Sequence, residues 1–222
     1  MKRLVIIVEG DAEESFINNV LSPYFNSIGI YNYIQCYKIK HSNGGLSKYS
    51  HLKKDIVNTL YENDVVVSTL VDFYRIPSDF PGYNESLSYE KHSDQVNYLE
   101  SKIKEDIELT QNRVFENLVP YIQLHEFETF IFSDIMGVDA LFDQSEYDRR
   151  EFINITRQYE NPEDINNGVN TAPSVRLKKI IKGYDKVLFG IEIIQNLGVD
   201  LIREKCPRFN SWIQNLIDIL QS

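Results

Sequence analysis

Two short apolar runs, at positions 4–8 and 65–71, constrain the fold more than any other feature of this sequence. They read LVIIV and VVVSTLV, and they are rich in β-branched residues. Continuous runs of this kind are typical of strands buried on both faces, as in parallel sheets. Each run ends on an acid, with Glu9 after the first and Asp72 at the end of the second. The sequence therefore predicts two buried strands that deliver carboxylates at their carboxyl ends.

Helical patterns alternate with these runs. Asp11 is predicted to cap a first helix, with Glu14 three residues later completing a capping box. Weaker strands are predicted at residues 31–39 and 120–124, and Glu126 and Glu128 follow the latter. Further helices are predicted at residues 48–61, 93–118, 175–181, 187–197 and 209–220, and residues 127–132 are predicted to begin another. Alternating strands and helices predict an α/β fold with a mainly parallel central sheet flanked by helices.

The chain is long enough for one large domain with an extension. Among its 222 residues, 42% are hydrophobic, which suits a folded globular protein. We expect an α/β core over residues 1–135 and a mostly helical C-terminal extension over residues 136–222 that packs on the core. Trp212, near the end of the chain, is predicted to be a core residue.

Charge and cysteine content limit the classes of function. The formal net charge is −10, so an overall basic surface, the usual footprint of nucleic-acid binding, is absent. Acids clustered around divalent metals would still allow phosphate to approach. Cys36 and Cys206 have no metal-like spacing, and a disulfide framework is not expected. With no apolar stretch of roughly 18 residues, we expect a cytoplasmic protein that does not enter a membrane.

The acids at the strand ends predict a shared site. In open α/β sheets, ligands bind beyond the carboxyl ends of the strands, where Glu9, Asp72 and Glu126 are expected. Carboxylates that converge repel one another unless a cation intervenes. Oxygen ligands suit Mg²⁺ or Mn²⁺, and such ions can hold a phosphodiester and activate water. Taken singly, each acid is more simply a helix cap or a surface residue.

These residues carry a resemblance to known families. The stretch from Val8 to Glu13 resembles the strand-Glu-Gly-x-x-Glu opening of Toprim domains, including those of the overcoming-lysogenization-defect nucleases. The chain as a whole resembles a Toprim-like family, domain-of-unknown-function family 4276, from Leu4 to Trp212. The matching stretches are VEGDAEESF, GGLSKY, TLVDFYRIPSDFPGY, QLHEFETFIFSD, APSVRLKKIIKGYDKVLFG and CPRFNSWI.

The resemblance implies roles for individual residues. Glu9 would be a general acid/base and a metal-site residue, with Asp72 and Glu13 as further metal ligands for Mg²⁺ or Mn²⁺. Lys186 would stabilise the phosphate transition state. Toprim domains often carry Asp-x-Asp, whereas this chain has Tyr74 in the second position.

The missing acid leaves an alternative open. Either Glu126 or Glu128 replaces it, and the sequence does not choose between them, or the metal site is weak. If one of the two faces the site, the other is expected to cap a helix.

Basic residues provide candidate phosphate contacts. Lys48 follows the glycine-rich segment at Gly44 and Gly45, where backbone N–H groups can approach an anion. Arg176 and Lys179 share one face of a predicted helix that Ser174 is expected to cap. A mobile loop and a solvated helix face are the simpler interpretations of these two clusters.

The leading hypothesis is a metal-dependent phosphodiester-processing protein, most simply a nuclease acting on DNA or RNA. The resemblance implies a bacterial phage-defence setting, with an ATPase partner protein. One alternative is a non-catalytic Toprim-like regulatory or interaction subunit of an ATPase partner, which Tyr74 and the acidic charge favour. Another is a phosphoryl-transfer enzyme acting on a small nucleotide.

Overall fold

The protein is built around a parallel β-sheet. The computed structural model describes residues 2–40, 45–165, 168 and 170–222. Within these residues the strands are β1 (Arg3–Val8), β2 (Ile34–Lys38), β3 (Val65–Asp72), β4 (Leu118–Val119) and β5 (Ile122–Gln123). Their order is β2-β1-β3-β4, β5 also pairs with β3, and each pairing is parallel. The prediction of an α/β fold with a mainly parallel sheet is confirmed.

The register brings the strand ends to one edge. Val8 pairs with Leu70 across β1 and β3, and Asp72 pairs with Gln123 across β3 and β5. Because the strands are parallel, the segments that follow them leave from the same edge of the sheet.

Helices cover both faces of the sheet. The α-helices are α1 (Asp11–Phe16), α2 (Ser22–Ser27), α3 (Tyr49–Leu60), α4 (Tyr83–Ser86), α5 (His92–Gln111), α6 (Met136–Asp139), α7 (Arg149–Gln158), α8 (Pro173–Ile180), α9 (Ile191–Leu197), α10 (Val199–Lys205) and α11 (Pro207–Gln221). Two π-helical segments, Ile17–Leu21 and Lys186–Gly190, and two 3₁₀ segments, Phe127–Ser133 and Pro162–Asp164, complete the helical structure of the described residues. No helix in this part of the chain has both the length and the apolar character to cross a bilayer.

Alternation along β1 divides the core into two layers. Val5 and Ile7 pack with α3 and α5, whereas Leu4 and Ile6 pack with α1 and the C-terminal helices. Successive side chains of a strand point to opposite faces, so a continuous apolar run is what a sheet covered on both sides requires.

The C-terminal helix α11 is anchored directly on the sheet. Trp212 donates a hydrogen bond from Nε1 to Ser68 Oγ at 2.9 Å, and its ring stacks on Tyr121 at 4.4 Å between centroids. Trp212 is 4% exposed, which confirms it as a core residue. Residues on both sides of position 135 therefore contribute to one apolar cluster.

Three local predictions were wrong. Gly10, not Asp11, is the N-cap of α1, and no side chain among the described residues caps that helix. The Asp11 carboxylate pairs with Lys38 at 2.5 Å instead. The helix predicted to reach residue 118 ends at Gln111, because Asn112 adopts a left-handed conformation with φ 49°. The segment Phe127–Ser133 is a 3₁₀ helix, not the start of an α-helix.

Candidate functional site

Glu9 and Asp72 lie next to each other at the carboxyl edge of the sheet. Glu9 Oε2 accepts a hydrogen bond from the backbone N–H of Asp72 at 3.3 Å. Glu9 Oε1 accepts another from the backbone N–H of Leu46 at 3.2 Å. The carboxylate of Glu9 is thus held between the end of β3 and the loop that precedes α3.

Lys186 lies among three further carboxylates. Its Nζ is 2.8 Å from Glu13 Oε1, 3.4 Å from Asp72 Oδ2 and 3.4 Å from Glu128 Oε2. The side chains of Glu13 and Glu128 are both 4% exposed, whereas that of Lys186 is 30% exposed. We call Glu9, Glu13, Asp72, Glu128 and Lys186 the acid–lysine cluster.

Local backbone structure explains how α1 delivers Glu13. Gly10 caps the helix, and a Cβ at this position would lie 3.1 Å from Glu13 Oε2. A side chain at position 10 would crowd the Glu13 carboxylate. Glycine leaves space for that carboxylate to point toward Glu9, four residues earlier in the chain.

Lys186 reaches the cluster from a distant part of the chain. It begins a π-helical segment that the side chain of Asp185 caps by accepting a hydrogen bond from Leu188 N at 2.8 Å. π-Helical turns are uncommon and occur frequently at functional sites.

The two glutamates left open by the sequence have different positions. Glu128 contacts Lys186. Glu126 accepts hydrogen bonds at 2.9 Å from both the backbone N–H and the hydroxyl of Ser174. Glu126 thus caps the first turn of α8. Ser174 lies inside that helix, whose N-cap is Ala172, so the prediction that Ser174 is the cap was wrong.

Burial and like charge shape the acidities of the cluster. Burial raises the pKa of Glu9, against the two backbone hydrogen bonds it accepts, and the charge of Glu13 raises it further. Burial also raises the pKa of Asp72 well above its usual value, with Lys186 opposing and Glu13 adding to the rise. The pKa of Glu128 is likewise raised by burial, with Lys186 opposing.

Lys186 remains a cation in these surroundings. Burial alone would lower the pKa of Lys186, but the carboxylates of Asp72, Glu128 and Glu13 raise it well above its usual value. The ammonium group therefore neutralises part of the negative charge of the cluster.

The donor set suits a hard divalent cation, but its present arrangement does not. All four acids offer oxygen ligands, and Glu13 Oε1 and Glu128 Oε2 are buried atoms that face the ammonium group of Lys186. Among the residues described, no three His, Cys, Asp or Glu side chains are grouped so as to hold a metal ion. The ammonium group of Lys186 contacts the oxygens that a cation would use.

A cleft of about 360 Å³ opens onto Glu9 and Asp72. One wall is the segment from Gly45 to Ser47, and the other runs from Tyr74 to Ile76. A larger cleft of about 750 Å³ lies along α5 and β4, lined by residues such as Leu109 and Val114 and by none of the acid–lysine cluster.

The predicted phosphate-binding residues are dispersed. Arg176 donates to the carbonyl of Thr171 at 2.7 Å, and Lys179 to that of Asn170 at 3.0 Å. Lys48 is the exposed N-cap residue of α3, next to the cleft-lining Ser47. Gly44, part of the glycine-rich segment, lies outside the described residues.

Sequence reasoning missed two features of the cleft. Gly45 has φ +78°, and a Cβ there would lie 3.1 Å from Glu9 Oε1. Arg75 lines the cleft with φ +61°, which is uncommon for a residue with a side chain. The glycine-rich composition around Gly45 is a weak sequence signal for the first conformation. No local sequence pattern predicts the second.

Comparisons with known proteins support the resemblance to domain-of-unknown-function family 4276. Neither the curated proteins nor the solved structures contain a match. The model of the family described as Domain of unknown function (DUF4276) matches residues 8–217, which spans the parallel sheet, the acid–lysine cluster and α11. The chain belongs to the DUF4276 family.

Proposed function

We propose that this protein is a metal-dependent phosphodiesterase of Toprim-like type, acting as a nuclease. The observation that carries the proposal is the meeting of Glu9, Glu13, Asp72 and Glu128 with Lys186 at the carboxyl edge of a parallel sheet. Ligand sites of open α/β sheets lie at this edge, and buried carboxylates with raised pKa values are typical of sites that perform chemistry.

Glu9 is the proposed proton carrier. Its pKa is raised by burial, and a raised carboxyl pKa favours proton transfer, since general acids and bases work best when their pKa approaches the working pH. It opens on the cleft, where it would exchange a proton with the attacking water or the leaving oxygen.

Glu13, Asp72 and Glu128 are the proposed ligands of Mg²⁺ or Mn²⁺. A divalent ion bound there would lower the pKa of a bound water and offset charge on the phosphate. Binding would compete with Lys186 for the same three carboxylates. Once released, Lys186 would be free to neutralise a phosphate oxygen in the transition state.

A matched pair of variants tests the proposal. Purified protein is incubated with plasmid DNA and with single-stranded RNA in millimolar Mg²⁺ or Mn²⁺, and Glu9→Gln is compared with Glu14→Gln. Loss of a general acid/base costs about 10²- to 10⁴-fold in rate, so Glu9→Gln should cleave far more slowly while Glu14→Gln matches the wild type. Absence of metal-dependent cleavage by the wild type on every substrate would reject the proposal.

One observation favours a second candidate, a non-catalytic interaction subunit. Lys186 already pairs with three carboxylates, and structural ion-pair networks also perturb pKa values. Tyr74 stands where Toprim domains often have an acid. Calorimetric titration with Mg²⁺ and Mn²⁺ separates the two: no heat and no thermal stabilisation at millimolar metal would favour the subunit.

The biological setting belongs to the same proposal. The Toprim resemblance suggests a bacterial phage-defence system in which the protein works in the cytoplasm with an ATPase partner.

A third candidate, phosphoryl transfer on a small nucleotide, is favoured by the small size of the cleft, about 360 Å³. Comparing turnover of a generic phosphodiester with that of plasmid DNA distinguishes it from a nuclease.

A further inference from the structure

Arg75 is a cation at the rim of the acidic cleft. It shares the cleft lining with Glu9 and Asp72, and its side chain is exposed. Its guanidinium carbon lies 5.0 Å from the centroid of the Tyr74 ring. Among the residues that the structure describes, Arg75 forms neither an ion pair nor a side-chain hydrogen bond.

This lack of a partner is notable because the surroundings are acidic. The chain carries a net charge of −10, and the cleft floor holds two carboxylates. Lys186, at the floor of the site, is already paired with Glu13, Asp72 and Glu128, and Lys48 is next to the cleft-lining Ser47 but does not itself line the cleft. Among the described residues that line the cleft, Arg75 is therefore the cation available to an incoming phosphate.

The backbone holds Arg75 in place. Tyr74 N donates to the carbonyl of His125 at 2.8 Å, and Ile76 N donates to that of Phe73 at 3.1 Å. Between these two anchors Arg75 adopts φ +61°, a conformation that is unfavourable for a side-chain-bearing residue. Strained backbone of this kind tends to occur at functional sites.

The two walls of the cleft are also joined. Asp79, just beyond the Tyr74–Ile76 wall, accepts hydrogen bonds at 3.1 Å from Tyr49 N with both carboxylate oxygens. Tyr49 starts α3, two residues after Ser47 of the other wall, and its ring packs on Phe80 at 5.1 Å between centroids. The cleft is therefore preformed, with Arg75 fixed at its rim.

We propose that Arg75 binds a phosphate of a polynucleotide next to the scissile one, with the ring of Tyr74 supporting the guanidinium group. Arginine presents a planar set of donors that matches two phosphate oxygens, and a ring contact leaves those donors free. A rim position suits a flanking phosphate, while the reacting phosphate would lie deeper, at Glu9 and Asp72. The substrate would then be a nucleic acid strand and not a mononucleotide. This inference rests on the proposed function for the identity of the site.

Binding without cleavage tests it. Fluorescence anisotropy of a fluorescein-labelled single-stranded oligothymidylate is measured in Mg²⁺ on the full chain carrying Glu9→Gln. Arg75→Ala is compared with Arg150→Ala, an exposed arginine of α7 that does not line the cleft. Inorganic phosphate serves as the competitor.

Two readouts are expected to change in Arg75→Ala alone. Loss of one charge-assisted contact should weaken binding about tenfold. The slope of log affinity against log salt should fall by about 0.7, the value for one phosphate contact to a single strand. Arg75→Lys should keep the slope and lose part of the affinity, because it keeps the charge but not the planar donors.

The inference is overturned if Arg75→Ala and Arg150→Ala bind alike, or if the oligonucleotide binds no form of the protein. Tight binding of inorganic phosphate with no preference for the oligonucleotide would also overturn it. These results are separable from cleavage. If binding depends on Arg75 but the wild type never cleaves, the proposed nuclease function is rejected and the phosphate contact of Arg75 is supported. If the protein cleaves and Arg75→Ala does not change cleavage, the nuclease function is supported and the contact of Arg75 is rejected.

Discussion

Glu9 and Asp72 are separated by 63 residues, yet the Glu9 carboxylate accepts a hydrogen bond from the Asp72 backbone N–H at 3.3 Å. The contact exists because β1 and β3 are adjacent parallel strands that end together. This hydrogen bond fixes the Glu9 carboxylate at the floor of the cleft. Because Glu9 also accepts a hydrogen bond from Leu46 N, its orientation depends on both the end of β3 and the wall from Gly45 to Ser47.

The first prediction concerns Gly45, whose φ is +78° and at which a Cβ would lie only 3.1 Å from Glu9 Oε1. Gly45→Ala should displace the Glu9 carboxylate and reduce metal-dependent cleavage. Gly29→Ala is the matched control, since Gly29 has φ +84° but nothing within 4 Å. Both variants should lose about 1–2 kcal/mol of stability from the left-handed conformation, measured by denaturant unfolding. Equal cleavage by the two variants would contradict the role of Gly45.

A second prediction follows from Lys186 at the centre of the cluster. Lys186→Met should bind Mg²⁺ or Mn²⁺ more tightly than the wild type, because the carboxylates lose their internal cation. In metal-free buffer its free energy of unfolding should be lower than that of the wild type by about 2–3 kcal/mol. This loss is near the low end for breaking a buried ion pair, because Lys186 is partly exposed and its charge is partly screened by solvent. Calorimetry and thermal melts with and without metal measure both effects.

Lys182→Met is the control for this variant, since Lys182 is exposed and outside the cluster. It should change neither metal affinity nor stability. Weaker metal binding by Lys186→Met than by wild type would show that the ammonium and the metal do not compete.

The third prediction concerns His125, which is 1% exposed. Burial, together with the neighbouring His92, lowers the pKa of His125 to about 4 from 6.5. The unfolded chain therefore takes up a proton at a higher pH than the folded protein, and stability falls as pH drops from 6.5 toward 4. A shift of this size corresponds to about 3 kcal/mol.

His125→Asn isolates that effect. Asparagine tolerates the positive φ of 66° at this position better than most residues, and it does not titrate in this range. The difference in unfolding free energy between wild type and variant should change by about 3 kcal/mol between the two pH limits. A difference independent of pH would refute the assignment.

The fourth prediction uses Trp212, the only tryptophan of the chain. Because Trp212 bonds Ser68 in β3 and stacks on Tyr121, its fluorescence reports contact between α11 and the sheet. Fluorescence and far-ultraviolet circular dichroism should give coincident urea transitions, as for one cooperative unit. A fluorescence transition at lower urea would mean that the helical extension separates from the core first.

The sequence by itself determined the parallel sheet and the edge where acids gather. Continuous β-branched runs at residues 4–8 and 65–71 are typical of strands in a sheet covered on both faces, and the carboxyl ends of parallel strands lie at the same edge of a sheet. The sequence thus predicts a shared edge for Glu9 and Asp72, whereas their direct contact also requires β1 and β3 to be neighbours in the sheet. Helix ends were less predictable, because a capping side chain can bind a distant partner in place of the helix N-terminus. The Asp11 carboxylate pairs with Lys38, and Gly10 is the N-cap of α1.

Only the tertiary structure decided how the site is completed. Glu126 and Glu128 are two residues apart with the same chemistry, and their different partners, Ser174 of α8 and Lys186, come from chain segments 48 or more residues away. The left-handed backbone of Arg75 likewise arises from anchors on both sides of the turn. Short-range patterns encode local propensity and burial, whereas the choice among equivalent carboxylates is made by long-range packing, which no local pattern records.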